Sequence, residues 1–169
     1  FIDDDGTGYL AYGYTNRGAG IIQLGDDLMS TVGSTIDLNA PAFFEDSELN
    51  KIGDTYYYSY CTDWNTDNRT GDYATLGQCH IAYMTSKSPM GPYTYAGDIF
   101  DNAGDAFGTM SNNHHHMIEF KGQCNIIRWK PLTATETLTV TATMQDTAVC
   151  KSTAFRSMKT AVSIRSIRI

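Results

Sequence analysis

Long apolar runs are missing from this sequence. None approaches the roughly 18 to 20 consecutive residues that a membrane-spanning helix requires, so a membrane is not an expected partner. No basic or apolar leader precedes Phe1 and no Met opens the chain, so no targeting segment is visible and the chain is expected to begin inside a longer protein. Basic residues are few: Lys and Arg number 12 against 19 Asp and Glu, the net charge is −7 and the pI is about 4.8. No stripe of Lys or Arg alternates with aromatics, which excludes a phosphate-tracking surface and nucleic acid with it. The four cysteines, Cys61, Cys79, Cys124 and Cys150, lack C-x-x-C spacing, so zinc knuckles and dithiol redox motifs are excluded too. Cys61 and Cys79 end and begin neighbouring strands; either they pair or, the favoured reading, they stay as buried thiols. Helical periodicity of any length is absent.

What is present points to β structure. The 169 residues are 41% apolar, enough for one domain with a packed core, and hold 15 Gly, 11 Tyr and 7 Phe. Turn formers and aromatics in that proportion predict an all-β fold. Their distribution divides the chain near Gln123. Residues 1–123 carry every Gly and Tyr, with 17 acidic against 5 basic residues, whereas 124–169 carry 9 Thr, 7 basic and 2 acidic residues. Hairpins need Gly where φ is positive, so the tail 124–169 is not expected to continue the pattern of 1–123.

Within the first part, strands alternate with turn chemistry, which predicts an antiparallel meander. Asp5-Gly6-Thr7-Gly8 leads into Tyr9-Leu10-Ala11-Tyr12-Gly13-Tyr14, and Ile21-Ile22-Gln23-Leu24 ends at Gly25-Asp26-Asp27. Lys51-Ile52-Gly53-Asp54 leads into Thr55-Tyr56-Tyr57-Tyr58-Ser59-Tyr60, where a period of two puts Tyr56, Tyr58 and Tyr60 on one face of a buried strand. Further strands are expected at Cys79-His80-Ile81-Ala82-Tyr83-Met84-Thr85, after Ser88-Pro89-Met90-Gly91-Pro92, and at His116-Met117-Ile118-Glu119-Phe120. Each unit pairs an aromatic strand with a Gly-Asp or Asp-Gly corner, as propeller blades do.

Four motifs in order carry a resemblance: Phe1-Ile2-Asp3-Asp4-Asp5-Gly6; Phe43-Phe44-Glu45-Asp46-Ser47-Glu48-Leu49-Asn50-Lys51-Ile52-Gly53; Thr85-Ser86-Lys87-Ser88-Pro89-Met90-Gly91-Pro92-Tyr93; and Asn112-Asn113-His114-His115 followed by Glu119-Phe120-Lys121-Gly122. Over residues 1–123 the sequence resembles glycoside hydrolase family 43. The resemblance implies a fragment of a five-bladed β-propeller, about two to three blades, from an inverting hydrolase of arabinose- or xylose-containing plant polysaccharides or oligosaccharides. It also implies a secreted or periplasmic location. Inversion takes a protonated carboxyl for the leaving oxygen and an ionised one that activates water on the opposite face.

By the same resemblance Glu45 is the general acid, beside Phe43 and Phe44, whose rings favour a protonated carboxyl, and just ahead of a strand. Asp46 stands where the family carries a small residue, which either helps the acid or disturbs it. The family's base Asp and the Asp that tunes the acid fall before Phe1, so this polypeptide alone is expected to be inactive or nearly so. Asp3, Asp4 and Asp5 read as a hairpin turn and also fail the EF-hand spacing. Phe44, Trp64, His114 and His115 are the expected substrate-binding residues. Three consecutive strand histidines face alternately, so they cannot converge on one ion. No cofactor is required; a hydrated calcium reached through water from His114 is the one metal the resemblance raises. Trp64 and Tyr73, in the long polar loop 62–77, either offer a sugar platform or pin their own loop. A family-like coding stretch read one base late yields residues 146–169, which predicts a frameshift entering near Gln123 to Trp129. Two rivals stay open: a non-catalytic carbohydrate-binding propeller and a propeller interaction module without a sugar site.

Overall fold

A computed structural model describes residues 1–15, 17–120, 123–128 and 142–144. Three antiparallel meanders follow one another along the chain. The first is β1 (Tyr9–Tyr14), β2 (Gly18–Leu24) and β3 (Thr31–Asp37); the second is β4 (Phe43–Ile52), β5 (Thr55–Thr62), β6 (Ile81–Ser86) and β7 (Thr94–Phe100). The third is β8 (His115–Phe120), β9 (Gln123–Arg128) and β10 (Ala142–Met144). Every neighbour in each sheet is also a neighbour in sequence, the blade-like repeat expected from the spaced turns.

Within residues 1–123, β3 and a short helix depart from the sequence reading, and in the tail β10 extends a sheet where no strand was expected. β3 was not anticipated: it is an exposed edge strand with Gly33 at φ 73°, and it buries too little to show alternation. A short helix, α1 (Ala103–Phe107), forms where no helical period exists, because local capping suffices for one turn. Asn102 Oδ1 accepts the Gly104 N–H at 2.9 Å, and Gly108 at φ 79° closes the far end.

Alternation in β5 builds the core. Tyr58 and Tyr60 are fully buried, with Tyr56 beside them, against Ile21, Leu38, Leu49 and Met84. Burying a side chain such as Ile21 contributes about 1.5–3 kcal/mol. This cluster joins the first two sheets, with β1 lying along one flank of β4 and β8 along the other. At the β1 flank the backbones come close: a Cβ on Gly13 would meet Phe43 Cζ at 2.5 Å, so Gly13 makes room for that ring. The expected hairpin at Asp3 to Gly6 is there, with Gly6 N–H donating to Asp3 O at 2.9 Å. Its Asp3 carboxylate also clasps the second sheet, accepting from Lys51 Nζ at 2.7 Å and from the Tyr56 hydroxyl at 2.5 Å.

β9 crosses the compositional boundary at Gln123 and pairs with β8 through Arg128. Most of the tail, including residues 146–169 that the expected frameshift yields, lies outside the described residues.

Candidate active site

Sequence reading set Glu45 just before a strand; the structure sets it inside β4, which starts at Phe43. Its direction comes from an irregular ladder. Phe43 pairs with Thr62, Glu45 with Cys61 and Glu48 with Ser59, so β4 carries extra residues relative to β5 on both sides of Glu45. Asp46 takes up the bulge with φ 64°, a left-handed conformation that is strained for a residue with a Cβ. Bulges re-aim side chains, and this one sends Glu45 and Asp46 to different partners.

Those partners are the three histidines before and in β8. Glu45 Oε1 lies 3.0 Å from His114 Nε2, in a pair whose side chains are 27% and 52% exposed. Asp46 Oδ2 lies 2.7 Å from His115 Nδ1 and accepts the His115 backbone N–H at 2.9 Å. A carboxylate only accepts, so His115 holds its proton on Nδ1. The His115 side chain is fully buried, and its Nε2 meets the Ser59 hydroxyl at 2.6 Å. Glu48 accepts the Met117 N–H with both oxygens, at 2.9 and 3.1 Å, and faces His116 Nδ1 at 2.6 Å. The alternation expected of three strand histidines therefore holds: His115 points inward, while His114 and His116 point outward.

Burial pushes the Asp46 carboxyl up, but the hydrogen bonds and charge of His115, with the charge of His114, outweigh it. The result lies below the usual carboxylate range. The carboxylate next to Glu45 thus stays ionised, turned inward to pin β8 while Glu45 stays partly open to solvent.

Of the other expected residues, Phe44 is half-buried one step before Glu45 on β4. Phe43 spends its ring on Gly13 and Tyr60, 5.8 Å between centroids for the latter. Trp64 packs on the cluster of Cys61, Cys79 and Ile81, and Cys61 is the residue opposite Glu45. Tyr73 lies edge-on to Tyr95 at 6.1 Å. Both rings hold the 62–77 loop down. Cys61 and Cys79 are buried free thiols, the favoured alternative. Sequence reading missed Glu48 and Ser59 as parts of the site. The available signal was charge matching: Glu45, Asp46 and Glu48 fall against His114, His115 and His116 at a nearly constant chain separation.

No family model matches the chain. Over 145 residues it is 41% identical to an arabinoxylan arabinofuranohydrolase of Bacillus subtilis, an alignment covering 75% of this chain and 27% of that protein. A crystal structure of a glycoside hydrolase family 43 arabinoxylan arabinofuranohydrolase from Bacillus subtilis, in complex with cellotetraose, superposes with a TM-score of 0.66 at 41% identity, over 76% of this chain and 28% of that one. The chain belongs to glycoside hydrolase family 43. A second relative, the arabinoxylan arabinofuranohydrolase of Paenibacillus polymyxa, is 38% identical over 138 residues, covering 75% of this chain and 21% of that protein. The family 43 chain thus spans about a quarter of the length of these curated relatives, and its three sheets are part of a five-bladed β-propeller.

Proposed function

We propose that this family 43 segment supplies the general acid of an inverting glycosidase acting on arabinose- or xylose-containing plant polysaccharides, and that Glu45 is that acid. The observation that supports the reading is the placement of Glu45: a bulge turns it out of the ladder, it keeps 27% of its side chain exposed, and its one hydrogen-bond partner among the described residues is a half-exposed imidazole. An acid that serves a glycosidic oxygen needs this combination of a fixed backbone, access to substrate and a neighbour able to exchange a proton. His114 Nε2, at 3.0 Å, holds the carboxyl until a sugar oxygen takes its place. In inversion the partner base stands roughly 6.5–9.5 Å from the acid, across the sugar ring.

Substrate contacts in this reading come from Phe44 and His114, while Trp64 is taken up by the loop it holds down. His115 has both ring nitrogens engaged by Asp46 and Ser59, so it serves as a support for the site rather than as a hydrogen-bonding surface for sugar. A calcium near His114 would take most of its ligands from water, because the Nε2 of that ring is already turned to Glu45 and calcium favours oxygen. No step here runs through it. Secretion or periplasmic export goes with the polysaccharide substrate.

The test is Glu45→Gln in the full-length gene product, assayed on arabinoxylan oligosaccharides and on a nitrophenyl arabinofuranoside. Removing a general acid is expected to lower kcat by about 10²–10⁴ on the oligosaccharide. The loss is smaller on the nitrophenyl substrate, whose leaving group departs without a proton. Equal turnover by wild type and variant on both substrates removes the assignment.

A further inference from the structure

A second group of chemistry-bearing side chains lies at the end of the second sheet and takes no part in the site above. His80 precedes β6, Asp98 is in β7, Asp101 follows it and Asp105 is in α1. His80 is nine-tenths buried, and a single imidazole faces all three carboxylates: Nδ1 lies 2.9 Å from Asp98 Oδ2 and 3.7 Å from Asp101 Oδ1, while Nε2 lies 3.6 Å from Asp105 Oδ2. One ligand atom each from His80, Asp98 and Asp101 falls within 4.8 Å of the others.

The two ring nitrogens have different surroundings. Zinc bound to nitrogen and carboxylate oxygen at about 2.0–2.1 Å with tetrahedral angles sets ligand atoms about 3.3 Å apart, and the two Nδ1 separations bracket that value. On the opposite nitrogen, Asp105 faces Nε2 from 3.6 Å, beyond direct hydrogen-bond distance. The ring is also held in position. The His80 backbone N–H donates to Thr62 Oγ1 at 2.9 Å, and a Cβ on Gly77 would lie 1.9 Å from Nε2, so Gly77 leaves the space that the ring fills.

A second observation concerns Asn113, which is 1% exposed. Its side-chain nitrogen donates to the carbonyls of Cys79 at 3.0 Å and Asp101 at 3.3 Å, the backbone beside His80 and at Asp101 itself, yet its Oδ1 has no hydrogen-bond partner. A buried amide oxygen without a donor is costly, and here it belongs to a side chain anchored on the cluster's own backbone.

We propose that His80 Nδ1, Asp98 and Asp101 form a binding site for a divalent metal of the zinc or manganese kind. One imidazole among carboxylates suits such ions better than an all-oxygen calcium cage does. The ion would tie the start of β6 to β7. The site depends on this geometry alone and stands whether or not Glu45 is the acid.

The experiment is native mass spectrometry and titration calorimetry of the 169-residue chain with Zn²⁺, and with Mn²⁺, which thiols hold poorly. Wild type is expected to take up one Mn²⁺. Asp98→Asn and His80→Gln are expected to weaken it by at least tenfold. The double variant His114→Asn/His116→Asn should bind as wild type does. If His80→Gln does not fold by circular dichroism, Asp98→Asn and Asp101→Asn carry the comparison. Absence of binding, unchanged affinity in the Asp98 and Asp101 variants, or loss confined to the His114/His116 variant overturns the proposal.

Discussion

The two flanks of β4 are built from different chemistry. Toward β1 the contact is apolar and aromatic: Phe43 lies over Gly13, and Phe1 sits 6.2 Å from Tyr56, edge to face, beside the buried cluster of Ile21, Tyr58 and Tyr60. Toward β8 it is a row of carboxylates against imidazoles, with Asp46 and Glu48 accepting backbone N–H groups of His115 and Met117. The first flank draws most of its stability from area removed from water, which is indifferent to protonation, with the Asp3–Lys51 clasp beside it. The second depends on the charge of Asp46 and leaves Glu45 and His114 partly in solvent. One strand can anchor on one side and present reactive groups on the other because the bulge at Asp46 breaks its regular alternation.

Substitutions separate the flanks. The largest expected effect is on the apolar side: Ile21→Ala, at a site with no exposure, should cost about 2–5 kcal/mol in chemical denaturation, with little dependence on pH. A loss no larger than that of a surface substitution would mean that this flank does not carry the fold.

On the polar side, Asp46→Asn should cost about 1.5–3 kcal/mol near neutral pH, the range for hydrogen bonds to a charged group. The folded-state pKa of Asp46 lies below its unfolded value of about 4, so its contribution is complete above about pH 4 and is lost as the pH falls through the depressed value. Unfolding midpoints taken from pH 6 down to pH 3, values set by that same ordinary carboxylate range, should fall faster in wild type than in the variant. Parallel curves would show that the Asp46 charge does not hold β8.

The smallest effect is expected at Lys51, whose ammonium bridges Asp3 and the exposed Asp4. Lys51→Met keeps the aliphatic stem, so the midpoint should drop less than in Asp46→Asn, and the difference should shrink at high salt. A drop as large as that of Ile21→Ala would move the Asp3 clasp from accessory to principal support.

What could be read from the chain alone follows the range of the physics. The Tyr56, Tyr58, Tyr60 alternation and the Asp3 to Gly6 corner are local, so the buried strand and the first hairpin were legible. Glu45 and His114 were legible through the ordered motifs around them. β3 was not, because an exposed edge strand has no face to bury, and α1 was not, because one capped turn has no period. The partners of Asp46, Glu48 and His80 were also out of reach: each depends on which residues two separated segments bring opposite one another.

The composition by itself determined an all-β chain, acidic through residue 123, with its aromatics placed to face a core. Tertiary structure alone decided that Asp46 turns inward to His115 while its neighbour Glu45 turns outward to His114, and that His80 gathers three carboxylates around one ring. The reason is that side-chain direction within a strand is local, whereas the identity of the group it meets is set by register across sheets, which a bulge of one residue is enough to change.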